Sequence, residues 1–393
     1  MNRTLIITLA ATLLAATPCA AQDDLQRILE SVERNNLTLK AEAHTTAGRT
    51  LEARTGNSLD PLSVSYSSAG DRPDALGKKG ELEVSQSFDL PMLYATRSRI
   101  ARTLAQQYEA EYLALRQQVL LEAKEVYLEL CALQGIVELN RPRLTAAEHM
   151  ATLFAARFET GDATSIDKHR TEFEYLLLKE ELSAIDMRMI ELSQRLAVLN
   201  GGELPESGYA MPSPEARMPL ELLLADWEEY APDLTALRLQ EESARYDVRL
   251  SRQQALPKVE LGYKYEYGPG ECFNGFKAGL SIPILSNRHN VKRARALEEA
   301  AKANTESALA QKRGAVRELY LKTEYTGKLL ESFGGMPDAP AYTDLLGRML
   351  EAGQINIVDY YSELATFYSA LETRIRTDLE YRLGLARLHV IYL

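Results

Sequence analysis

The chain has 393 residues, with 45 Lys plus Arg against 56 Asp plus Glu and a formal net charge of −11. That acidic balance argues against a nucleic-acid partner, which would need a basic surface. The length alone would permit two or three ordinary domains.

Residues 1–21 predict an exported protein. Met1, Asn2 and Arg3, an apolar run from Leu5 to Ala16 and the small residues Cys19, Ala20 and Ala21 form a secretory signal with cleavage expected before Gln22. A lipid anchor on Cys19 would need a leucine-like residue three positions earlier and Gly or Ala just before it, where Ala16 and Pro18 stand. The run is too short for a membrane helix, and no later stretch has the ~18 uninterrupted apolar residues that one requires. Only Cys131 and Cys272 follow, so a disulfide framework is not expected. If the mature chain crosses a bilayer, it must do so with strands.

The mature chain repeats itself. Residues 22–202 and 220–393 run in the same order at a spacing of about 190 residues: a short helical stretch, two strands, a very long helix, a Gly-centred turn and another long helix. A Pro- and Gly-rich linker over 203–219 joins the copies. Such a repeat favours one intertwined domain.

Helical stretches are expected over 23–59 and, after the strands, 91–158. The strands fall at about 61–70, 80–90, 257–267 and 274–285. In the third, Val259, Leu261, Tyr263, Tyr265 and Tyr267 alternate with Glu260, Gly262, Lys264 and Glu266, a strict period of two. Phe276, Ala278, Leu280, Ile282 and Ile284 share one face of the fourth; Leu62, Val64 and Tyr66 share one of the first; Leu82, Val84 and Phe88 share one of the second, with Gln86 a misfit. Segments 71–79 and 268–275 read as exposed loops. A soluble amphipathic sheet would alternate identically, but nothing apolar remains to cover it, since the rest of the chain is helical. In lipid an open sheet edge leaves backbone groups unpaired, so closure must come from other copies. Three chains give a twelve-stranded barrel with an aqueous lumen lined by Glu260, Lys264, Glu266 and Lys277. Tyr263, Tyr265 and Tyr267 fit an interfacial aromatic girdle.

Arg97, Arg99 and Arg102, and again Arg288, Lys292, Arg293 and Arg295, cluster just after the second strand of each copy. They read either as a solvated helix face or as contacts to anionic lipid headgroups at a membrane surface.

The long helices carry apolar residues mostly at spacings of three and four: Leu104, Tyr108, Tyr112, Leu115, Val119 and Val126 in one, Ile357, Tyr361, Leu364, Tyr368 and Leu371 in another. Residues 91–158 would reach on the order of 100 Å, and 23–59 with 166–199 cover nearly the same length, so one strut is expected to pair with two stacked half-struts. Pro142 in the first copy and Phe333 to Pro337 in the second are expected to interrupt the long helix at equivalent places. At the turns, Gly161 and Gly353 suit a left-handed helix end. Thr164 and Asn356 then stand as N-caps, with Asp167 and Asp359 at the third helical position.

The aligned pattern of Phe158, Gly161 and Asp167 with Leu350, Gly353 and Asp359 resembles that of the TolC-like outer-membrane efflux protein family, over nearly the whole mature chain. The resemblance implies a mixed α and β membrane protein, a homotrimer with a 12-stranded β-barrel in the outer membrane and a long periplasmic α-helical coiled-coil barrel. It implies that the tips, Phe158, Gly161, Asp162, Leu350, Gly353 and Gln354, dock a periplasmic adaptor (membrane fusion) protein working with an inner-membrane pump. It also implies a periplasmic gate at Asp359, with Ser362 and Glu363 one turn on, where some members carry a second acid. Three such carboxylates about a threefold axis would repel one another and favour a bound cation.

The sequence offers little other chemistry. Ser165 and Lys168 match a Ser-x-x-Lys pattern without its Lys-Thr-Gly partner, and His44, His149, His169, His289 and His389 form no metal-ligand spacing. No cofactor fingerprint and no catalytic constellation stands out, so the chain is expected not to be an enzyme. The expected function is the passive outer-membrane exit duct of a tripartite efflux system. A type I protein-secretion duct would use the same barrel, and a soluble periplasmic coiled-coil scaffold is the alternative from another class.

Overall fold

The computed structural model describes residues 17–69, 79–268, 270–283 and 289–393. The signal segment up to residue 16, the side chains of 17–21 with that of Cys19 among them, most of the first expected loop, Ile284 and Arg288 lie outside the described residues. The chain divides into two units. One comprises residues 41–114 and 228–312; the other comprises the residues up to 40, 115–227 and 313–393.

The first unit contains the sheet. Strands β1 (Ser63–Ala69), β2 (Lys79–Phe88), β3 (Lys258–Gly268) and β4 (Glu271–Ser281) pair antiparallel in the order β1-β2-β3-β4. The alternation fixes the register, because a slip by one residue would turn every side chain to the wrong face. Val64, Val84, Tyr263 and Phe276 form one cross-strand row and Tyr66, Leu82, Tyr265 and Asn274 the next, all on one face. The opposite face carries the rows Ser63, Ser85, Gly262, Lys277 and Ser65, Glu83, Lys264, Gly275. Gln86 falls on the apolar face beside Leu261, but its amide donates to the carbonyls of Asp60 and Ser87, which accounts for the misfit. The stretch 268–275, expected as a loop, is mostly strand. Gly268 pairs with Glu271 and Gly275 with Lys264, so the ladder reaches from Gly275 up to Glu271. Beyond Ser281 regular pairing stops before Pro283, whose ring nitrogen cannot donate to a ladder.

Helices precede and follow the strands in each copy: α1 (Thr17–Asn35), α2 (Leu37–Thr55), α3 (Pro91–Thr160) and α4 (Ser165–Leu199), then α5 (Leu220–Tyr230), α6 (Pro232–Gln253), α7 (Asn290–Ser332), α8 (Ala339–Glu351) and α9 (Ile357–Leu388). The stretch 23–59, expected as one helical piece, is two. Asn36 breaks it by accepting from the Leu39 N–H at 2.9 Å, an N-cap, while its own amide donates to the Leu199 carbonyl at 2.8 Å. The second copy breaks at the matching place, with Pro232 opening α6. The shared interruption expected of the long helices is absent. Pro142 sits inside the unbroken 70-residue α3, whereas the second copy ends α7 at Ser332 and restarts at Ala339. One Pro removes one N–H from a helix whose neighbouring Asn140 is fully buried and tied to Glu372 at 2.7 Å; Gly334, Gly335, Pro337 and Pro340 together leave too little helical propensity to continue.

The helical unit has a core in which Leu346, Ile357, Tyr361, Leu364, Phe367, Tyr368 and Leu371 pack with Leu139, Met150 and Phe154. Its linker, 203–219, has no regular secondary structure and is tied down by side chains. The Ala210 carbonyl accepts from Tyr127 at 3.2 Å, the Pro212 carbonyl accepts from Arg382, and Ser207 donates to Asp24. Cys131 is buried against the same Ala210 carbonyl, and burial pushes its thiol up to about 12. Glu215 meets Lys124 and, at 2.8 Å, His389. Burial alone would raise this carboxyl, but the bonds from His389 and Lys124 outweigh it and hold its pKa at about 2. A depressed carboxylate pKa contributes stability above its unfolded value that disappears as pH falls through about 2. Glu215→Gln is therefore expected to loosen the linker at neutral pH. Limited proteolysis within 203–219 should be faster in the variant at pH 7, with the difference between the proteins disappearing in strong acid.

Candidate functional site

The two Gly turns are built identically. At the end of α3, the Gly161 N–H donates to the Phe158 carbonyl at 3.2 Å and the Asp162 N–H to Arg157 at 2.8 Å. At the end of α8, the Gly353 N–H donates to Leu350 at 3.0 Å and the Gln354 N–H to Met349 at 2.9 Å. This is the Schellman arrangement, and it requires a left-handed residue at its centre. Gly161 has φ +82° and Gly353 φ +67°. Gly161, Asp162, Gly353 and Gln354 are exposed, as is Phe158, whose ring carries the Lys168 ammonium 5.2 Å from its centre. Leu350 differs: it is half-buried and packs against the α9 core.

The helices restart from capped ends. Thr164 and Asp167 form a reciprocal capping box, with Asp167 accepting from the Thr164 N–H at 3.0 Å. Asn356 accepts from the Asp359 N–H at 2.9 Å, and its amide donates to the Asp359 carboxylate at 2.7 Å. Both aspartates thus serve helix starts, where a negative charge also meets the positive end of the helix dipole. Asp359 remains solvent-exposed, and Ser362 and Glu363 lie exposed on the following turn, while Ile357, Tyr361 and Leu364 turn into the core. Behind that acidic face, Arg143 pairs with Glu174 at 2.8 Å and stacks 5.1 Å above the Tyr368 ring. Burial lifts the Tyr361 hydroxyl above the usual phenol range. This bracket joins α3, α4 and α9. No local pattern in the sequence announces it, since its members are far apart in the chain.

On the sheet, Glu260, Lys264, Glu266 and Lys277 all fall on the polar face. Lys277 contacts Glu83 at 2.6 Å and Glu260 at 3.3 Å; Lys264 contacts Glu81 at 3.1 Å and also pairs with Glu266. Glu81 and Glu83 therefore belong with the four residues expected there. The alternation of β2 carried that signal. The other face is uncovered by any described part of the chain: Phe276 is 95% exposed, Leu280 69% and Val64 62%. An apolar surface of this extent is a contact surface for lipid or protein. No described helix is long and apolar enough to cross a membrane.

No family model matches the chain. Among curated proteins it is 22% identical over 318 residues to the outer membrane protein TolC of Vibrio cholerae, covering 73% of this chain and 70% of that protein. It is 22% identical over 277 residues to the pyoverdine export outer membrane protein OpmQ of Pseudomonas putida, covering 65% and 57% respectively. Among solved structures, the Campylobacter jejuni CmeC outer membrane channel superposes with a TM-score of 0.79 at 15% identity over 94% of this chain and 85% of that one. The outer-membrane channel OprN gives 0.79 at 15% identity, over 96% and 92%. The open state of the Neisseria gonorrhoeae MtrE outer membrane channel gives 0.73 at 17% identity, over 94% and 88%. The three solved structures are outer-membrane channels. Two repeats, each with a strand pair and a Gly-centred helical tip, contribute to one four-stranded sheet; the chain shares the fold of these outer-membrane channels and is similar to the TolC-like outer-membrane efflux proteins.

Proposed function

We propose that the chain is the outer-membrane exit duct of a tripartite efflux system, working as a homotrimer. The observation that carries this reading is the two-faced sheet. One face is apolar and uncovered, the other holds a ladder of paired carboxylates and ammonium groups, and both outer strands have an open edge. Lipid tolerates such a sheet only if neighbouring copies pair with its edges, which puts the ladder inside an aqueous barrel. The helical unit then forms the periplasmic conduit. Its Schellman tips at Gly161 and Gly353 present Phe158, Asp162 and Gln354 to a periplasmic adaptor, and Asp359 with Ser362 and Glu363 lines the periplasmic mouth. The residues supply no catalytic constellation in this reading, so an inner-membrane pump provides the energy. Leu350, packed into the core, supports the tip from inside.

Reconstitution of the purified full-length chain in planar bilayers separates this duct from a soluble scaffold. Ion conductance by a membrane-resident assembly is the expected result. A folded protein that fractionates with the aqueous phase and conducts nothing would remove the reading.

A further inference from the structure

We propose that the N-terminal parts of α3 and α7 form a collar that binds anionic phospholipid headgroups. The inference rests on the reading that the sheet spans a bilayer. Strands β2 and β4 run in the same direction, and Phe88 and Ser281 reach the same edge of the sheet, opposite Val259 and Lys258. Helix α3 leaves from that edge, and α7 lies beside α6, which leads into β3 at the same edge, with Arg245 3.8 Å from Glu298; a barrel would meet its interface there. On α3, Arg99 and Arg102 are exposed; on α7, Lys292 and Arg295 are exposed. Each pair is spaced i, i+3 and so shares a helix face.

Several cations of the same unit near these positions are paired. Arg97 contacts Asp89 at 2.7 Å, Lys258 reaches Asp60 at 3.2 Å and Asp89 at 3.4 Å, and Arg49 reaches Glu111 at 2.8 Å. Arg293 has Asp247 in its field. Among the described residues, Arg99, Arg102, Lys292 and Arg295 have no carboxylate partner. In a chain of net charge −11, these four cations follow the strand ends at one edge of the sheet. Exposed apolar side chains accompany them: Met92 at 48%, Ile282 at 59% and Leu297 at 57%. Cations beside apolar anchors match the headgroup boundary of a leaflet, where the anchors bury and the cations meet phosphate.

The test uses the full chain reconstituted in bilayers of phosphatidylethanolamine and phosphatidylglycerol, with spin-labelled phosphatidylglycerol reporting the lipid next to the protein. The wild type is expected to enrich phosphatidylglycerol about threefold or more over the bulk, falling as salt rises. The variant R99Q/R102Q/K292Q/R295Q is expected to lose the enrichment and still conduct. Conducting channels with no enrichment, or with equal enrichment in the variant, overturn the collar alone and leave the duct standing; a collar shaped for an acidic protein would give the former. Should the variant fail to insert, salt-insensitive enrichment by the wild type overturns the collar. A wild type that never enters the bilayer overturns both proposals.

Discussion

Gly353→Val is expected to abolish export while leaving trimers in the outer membrane, and Gly353→Asn is expected to retain most of it. The contrast follows from the backbone. At φ +67° a Cβ at this position would meet nothing within 4 Å, so the substitution is penalised through conformation and not through a clash. Asn tolerates the left-handed region; a β-branched residue does not, at a cost of roughly 1–3 kcal/mol in an otherwise unchanged turn. The turn can relieve that strain only by giving up the bonds from Gly353 to Leu350 and from Gln354 to Met349, which reshapes the exposed tip. Assembly should survive because the strands and the α9 core are untouched. Efflux assays in cells, with trimer yield measured on the same membranes, check the prediction. Equal export by the Val and Asn variants would remove the tip from the mechanism. Gly161, at φ +82° in an identical turn, should behave likewise.

Leu261→Arg is expected to deplete assembled protein from the outer membrane, and Ser65→Arg to leave it near the wild-type level. Leu261 lies on the exposed apolar face between Gln86 and Ala278. A guanidinium on the lipid-facing band is destabilising in each protomer, by about 2–4 kcal/mol at the bilayer midplane and by less toward the interfaces. Ser65 lies on the other face, across from Glu83, where an added cation gains a carboxylate neighbour. Quantifying crosslinked trimers in outer-membrane fractions separates the two. Equal depletion would mean that the sheet has no lipid side.

Much of this was legible because the repeat and the period-two strands are local signals. The alternation of Val259 through Tyr267 is enough to assign these residues to two faces, and the register places them so. What escaped were effects of context. Gly268 to Gly275 has loop composition, yet pairing with β3 holds Asn274 and Gly275 in a strand, since backbone hydrogen bonding outweighs a weak local preference. Pro142 should break an isolated helix, but buried packing around Asn140 carries α3 through it. The Asn36 break was visible only as one more polar residue, because its meaning lies in a bond to Leu199, 163 positions away. At the candidate mouth, capping geometry could be read at Asp167 and Asp359 from spacing, whereas the Arg143, Glu174 and Tyr368 bracket depends on three helices meeting.

Closure of the sheet by neighbouring copies is the claim on which the duct, the lumen and the collar all depend. Strands β1 and β4 are the open edges, so cysteine pairs across them test it directly. In a Cys272→Ser background, Tyr66→Cys is combined in turn with Asn274→Cys, Phe276→Cys and Ala278→Cys, and intact membranes are oxidised. The expected result is a ladder ending at covalent trimers for at least one pairing, since a shared barrel brings one of these β4 positions within disulfide reach of β1. Uncrosslinked monomers from every pairing, in protein whose sheet is folded, would contradict the account.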